Sequence, residues 1–105
     1  MNIVDYIPTG YENAISRKDL CKKTGLNDRV VRNAIEEARR TTIIISNNDG
    51  SGYWIYPKEP TEHEKLLLNR FVKQQESRAK SIFYALRPAR IMMKEVSKNG
   101  NQTRC

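Results

Sequence analysis

Apolar residues recur along this chain at several different spacings, and each spacing predicts an element. Ile3, Val4 and Ile7 form one face of a short first helix, which Pro8-Thr9-Gly10 ends. Ala14-Ile15 has room for no more than a brief strand. Ser16-Arg17-Lys18-Asp19 resembles a capping box with Asp in place of Glu, and Gly25 stops the helix it opens after about two turns. Asn27 caps a third helix that runs to Arg40, with Val31, Ala34, Ile35 and Ala38 on one face.

The spacing then changes. Thr41–Ile45 and Tyr53–Tyr56 are β-prone, and the Asn/Asp/Gly/Ser stretch between them predicts a hairpin. After Pro57–Pro60, Thr61-Glu62-His63-Glu64 is a full capping box. It opens a long helix over about 61–87, with Leu68, Phe71, Val72, Ala79, Ile82, Phe83 and Leu86 on one stripe. Pro88 ends or kinks that helix and can open another over 88–97. The expected organisation is a domain over 1–57, a helical extension over 58–98 and a disordered tail over 99–105. The expected fold class is α+β, mainly α with a small hairpin.

Composition narrows the function. No apolar run reaches membrane-span length, and the first residues lack the pattern of a signal peptide, so the expected location is the cytoplasm. Cys21 and Cys105 with the single His63 make a metal site improbable. No phosphate loop and no nucleophile–base pair at a recognised spacing is present, so the sequence predicts neither an enzyme nor a cofactor nor a small-molecule ligand. The net charge is +7, and a basic balance favours a polyanionic partner. Residues 1–60 hold nine Lys/Arg and eight Asp/Glu, whereas 61–105 hold ten and four, so the excess lies in the C-terminal part.

Helix, brief strand, helix, helix, hairpin is the element order of a winged helix. Thr24-Gly25-Leu26-Asn27 is a tight helix-turn-helix connection, and the helix after such a turn usually lies in the major groove of double-stranded DNA. Its polar side predicts base readout by Asn27, Arg29, Arg32, Asn33 and Glu36, with Arg29, Arg32 and Asn33 favoured. Val30 at the flank either touches a thymine methyl or packs. Arg17, Lys18, Arg40, Asn47, Asn48 and Ser51 are candidate phosphate contacts. The hairpin tip offers Asp49 but no Lys or Arg, which makes it a minor contributor.

Several stretches carry a family resemblance. Ser16-x-x-x-Leu20, Gly25-Leu26-Asn27, Val31-x-x-x-Ile35 and Gly52-Tyr53 resemble the N-terminal DNA-binding domain of the biotin repressor. Ile7–Ser16, Gly25–Arg32 and Gly52-Tyr53-Trp54 are similar to stretches of small winged-helix proteins encoded by phages and prophages of Gram-positive bacteria. The resemblance covers residues 3–57 well and the tail loosely, and implies a DNA-binding winged helix of phage origin. The expected role is sequence-specific transcriptional regulation, with an accessory role in phage replication, recombination or packaging, or a winged helix that binds protein, as the alternatives. The resemblance implies no operator. It also implies that Tyr53 and Ile55 face the core, which by alternation turns Trp54 and Tyr56 away from it. Two such aromatics need a cover, from the C-terminal helix or a second subunit; a base-stacking platform is the less favoured reading.

The long helix has two stripes, each with open readings. Arg70, Lys73, Lys80 and Arg87, with Ser77 and Tyr84 between them, either track phosphates or form a solvated face. The apolar stripe packs on the first domain, pairs with a second copy as a homodimer, or lies on a membrane surface. A homodimer is favoured, because it matches a palindromic site.

Overall fold

Local signals place most of the elements. In the computed structural model, residues 2–47 and 49–98 are described, the last three by backbone alone. Helix α1 spans Arg17–Thr24, α2 Asp28–Ala38, α3 Glu62–Ala85 and α4 Arg87–Lys98; strands β1, Ile44–Ser46, and β2, Tyr53–Ile55, form an antiparallel hairpin. The fold is α+β and mainly helical. The expected tail, 99–105, lies outside the described residues.

The caps account for the helix starts. Ser16 accepts from the Asp19 N–H at 3.1 Å and Asn27 from the Val30 N–H at 3.0 Å. Gly25 ends α1 at φ 75°, a left-handed conformation that suits glycine, and its N–H returns to the Cys21 carbonyl. Residues 3–7 make a 3-10 turn, Ile3–Tyr6, rather than an α-helix, because too few residues precede Pro8 for regular turns. Arg39 and Arg40, expected inside the third helix, instead lie in the turn that follows Ala38. The first strand begins at Ile44, three residues later than its β-prone run, and Ile43 is exposed.

Two compact units divide the chain, at Phe71. The first unit runs to Phe71 and so takes in the first ten residues of α3, where the sequence placed a boundary at 57. Its core joins Ile3, Ile7, Ile15, Leu20, Val31, Ile35 and Ile44, with Tyr53 and Ile55 packed against them. Ile44 pairs with Ile55, Ile45 with Trp54 and Ser46 with Tyr53. The brief strand expected at Ala14-Ile15 is a single bridge, Ile15 to Tyr53, with hydrogen bonds of 2.9 and 2.8 Å. Beside it, Gly52 is at φ 120°, and a Cβ there would lie 1.9 Å from the Ile15 carbonyl oxygen.

Alternation turns Trp54 away from that core, yet Trp54 is completely buried, as is Ile45 beside it. The cover comes from this same chain. Tyr11 meets the Trp54 ring edge-on at 5.9 Å, and His63 meets Tyr11 at 4.9 Å. Trp54 Nε1 donates to Asn47 Oδ1 at 2.8 Å. The side expected for Trp54 and Tyr56 holds, and the cover they call for is Tyr11, with His63 of the long helix behind it: Trp54 belongs to a second buried layer and Tyr56 is half-buried. Both faces of the hairpin are covered, with no second subunit needed there.

In the second unit, α3 ends at Ala85 and α4 begins at Arg87, where Pro88 cannot supply an N–H. Val72, Ile82, Phe83, Tyr84, Leu86, Ile91, Met92 and Met93 are all exposed. Among the described residues no helix is long and apolar enough to cross a membrane.

Candidate nucleic-acid interface

Helix α2 sorts its residues by the turn. Val31 and Ile35 are buried, Ala34 and Ala38 half-buried, and Asp28, Arg29, Val30, Arg32, Asn33, Glu36 and Glu37 exposed. Of the predicted readers, Arg29 and Asn33 stand on the exposed face with no side-chain partner among the described residues. Val30 is 42% exposed, enough for an apolar contact. Arg32 leans toward Asp28, 3.9 Å away, a surface pair too weak to withhold it from a ligand. Asn27 is committed to its cap, and Glu36 accepts from Arg39 at 2.9 Å.

The predicted phosphate contacts separate into three groups. Lys18 and Arg70 are exposed in the first unit, and Lys73 and Lys80 are exposed in the second. Arg17 and Arg40 are paired: the Arg17 guanidinium donates to Asp28 and to the Tyr53 hydroxyl, and Arg40 sits 3.6 Å from Glu37. The Tyr53 hydroxyl and Asp28 together raise the Arg17 pKa above its usual value. The hairpin-tip residues are bound internally. Asn47 uses both ends of its amide, accepting from Trp54 and donating to Ser51 Oγ at 2.7 Å. Asn48 lies outside the described residues. Ser51 holds the Asp49 carboxylate with its hydroxyl and its backbone N–H, which lowers the Asp49 pKa. The tip thus carries a firmly ionised carboxylate, which repels phosphate.

Two residues that frame this interface were not among the sequence candidates. Arg39, whose side chain is 19% exposed, donates from Nε to the Ile44 carbonyl at 3.0 Å and from Nη2 to Ser46 at 3.3 Å. Its guanidinium also lies over the Phe71 ring, 4.9 Å from the centroid. One side chain thereby fixes the end of α2 to the hairpin base and to α3. The available signal was its phase, four residues after buried Ile35 and so on the core edge of the helix. Glu64 is buried; it completes its capping box with Thr61 and accepts the Tyr11 N–H at 2.9 Å. The Thr61 and Tyr11 backbone donors lower its pKa. The capping box predicted the first partner, and nothing in the local sequence pointed to the second.

With this geometry in place, comparison with protein-family models, curated proteins and solved structures finds no match to the chain.

Proposed function

We propose that the chain is a sequence-specific double-stranded DNA-binding protein that reads the major groove with α2 and serves in transcriptional regulation. The observation that carries this reading is the exposed, unpartnered pair Arg29 and Asn33 in the first half of α2, behind a tight Gly25 turn and beside a hairpin locked to the helix by Arg39. Arg reads guanine and Asn reads adenine through paired hydrogen bonds in that groove. The outward side of α2 holds Arg29 and Arg32, with Arg40 in the turn that follows, against Asp28, Glu36 and Glu37, so it is close to neutral. It is suited to selecting bases more than to gripping phosphates. Lys18 and Arg70, exposed in the first unit, supply phosphate contacts, and Lys73 and Lys80 in the second unit add a sequence-independent attraction to polyanions.

A second copy joined through Val72, Ile82 and Leu86 would present two α2 helices to a palindromic site.

The test is binding-site selection from random duplexes, followed by anisotropy titrations across a salt series. Arg29→Ala and Asn33→Ala are expected to lower discrimination by roughly five- to a hundredfold at their own positions, while Lys73→Ala weakens all sequences alike. Absence of duplex binding at low salt overturns the proposal.

A further inference from the structure

We propose that the elbow between α3 and α4 is a binding site for single-stranded nucleic acid, with Tyr84 and Phe83 stacking on bases and Arg87, Arg90 and Lys94 holding phosphates. With Ile91 these residues line a hollow of about 470 Å³. The two rings stand 6.1 Å apart at 67°, and the Arg90 guanidinium lies 5.3 Å from the Phe83 centroid. Both rings are more than half exposed, at 55% for Phe83 and 61% for Tyr84. No carboxylate is among the lining residues. Residues 72–98 carry seven Lys/Arg and two Asp/Glu, so the surroundings of the hollow favour an anion as well.

The chemistry selects the ligand class. Interleaved aromatic rings and guanidinium groups on one surface match alternating bases and phosphates. In a duplex the base faces are already stacked on one another, so a duplex would use the cations and leave the rings idle. A second copy seated on the elbow would bring six cations together with no carboxylate between them. A helix lying on lipid puts its aromatic and apolar residues on the buried side. Here the rings share the cationic side, while Met92 and Met93 are not part of the hollow.

This site is independent of the reading of α2, because none of its residues belongs to the first unit. The test uses the full chain and a fluorescein-labelled oligothymidylate of about a dozen nucleotides. Tyr84→Ala is expected to weaken its binding roughly five- to a hundredfold, Tyr84→Phe to retain it, and Arg90→Ala to lower the salt slope by about one phosphate contact. Arg29→Ala leaves it unchanged, and Tyr84→Ala leaves binding to a selected duplex unchanged, which separates this site from α2. Five results overturn the proposal: no oligothymidylate binding; equal binding by Tyr84→Ala; equal binding of an abasic strand of the same length; Tyr84-dependent binding to anionic vesicles in place of oligonucleotide binding; or Tyr84-dependent self-association in its place.

Discussion

The Glu64 carboxylate accepts the backbone N–H of Tyr11 across 53 positions of chain, at 2.9 Å. Its other oxygen caps its own helix at Thr61. One buried carboxylate therefore both starts α3 and seats the residue that covers Trp54.

That arrangement has a pH signature. Glu64 titrates below the usual carboxylate range when folded, so its contribution is fully present above the unfolded pKa and is lost as pH falls through the folded one. Glu64→Gln is expected to cost about 1–2 kcal/mol at neutral pH, because an amide NH₂ then faces a backbone N–H. Urea unfolding at pH 7 and at successively lower pH measures this, with the gap between wild type and variant shrinking in acid.

Asn47 and Arg29 separate stability from recognition. Asn47→Ala leaves the buried Trp54 N–H without its acceptor, and the expected loss of stability is about 1–3 kcal/mol with little change in DNA affinity of the folded protein. Arg29→Ala is expected to behave in the opposite way, with near-unchanged stability and altered sequence preference. Thermal melts paired with anisotropy titrations read both quantities. A large affinity loss for folded Asn47→Ala would return the hairpin tip to the interface.

Gly52→Ala tests how the hairpin sits on Ile15. The added methyl collides with the Ile15 carbonyl, and φ is 120°, so the expected destabilisation exceeds about 2 kcal/mol. Urea denaturation followed by Trp54 emission gives the number, since Trp54 is the sole tryptophan.

The extent of the first unit is also testable. A chain ending at 57 lacks His63, Glu64 and Phe71, whereas one ending at 71 keeps them. The longer form is expected to unfold cooperatively with Trp54 shielded, and the shorter to show red-shifted Trp54 emission and weak near-UV dichroism.

The legible parts of this chain are those written in a few adjacent residues. Gly25 followed by Asn27 fixed the turn, Thr61 with Glu64 fixed the start of α3, and Pro88 fixed its end. The face of α2 was equally readable, since Val31 and Ile35 set its phase. Alternation correctly gave the side of the hairpin on which Trp54 stands, but not what lies above it, because Tyr11 is remote in sequence. For the same reason Asn47 reads locally as a polar tip residue and is in fact the partner of an indole. Arg39 shows the converse limit. An Arg-Arg pair at a helix end suggests a solvated positive terminus; phase alone puts Arg39 on the core edge, but its partner, the Phe71 ring, lies too far along the chain to be read locally.

The cover over the hairpin's second face also bears on how the protein is made. Synthesis delivers residues in order, and domains generally fold as units during it. Here the first unit extends to Phe71, so its last residues are added well after the last strand is complete. The nascent chain therefore passes through a stage in which Trp54 and Tyr11 are both made while Glu64 and His63, which hold Tyr11 in place, are still to come.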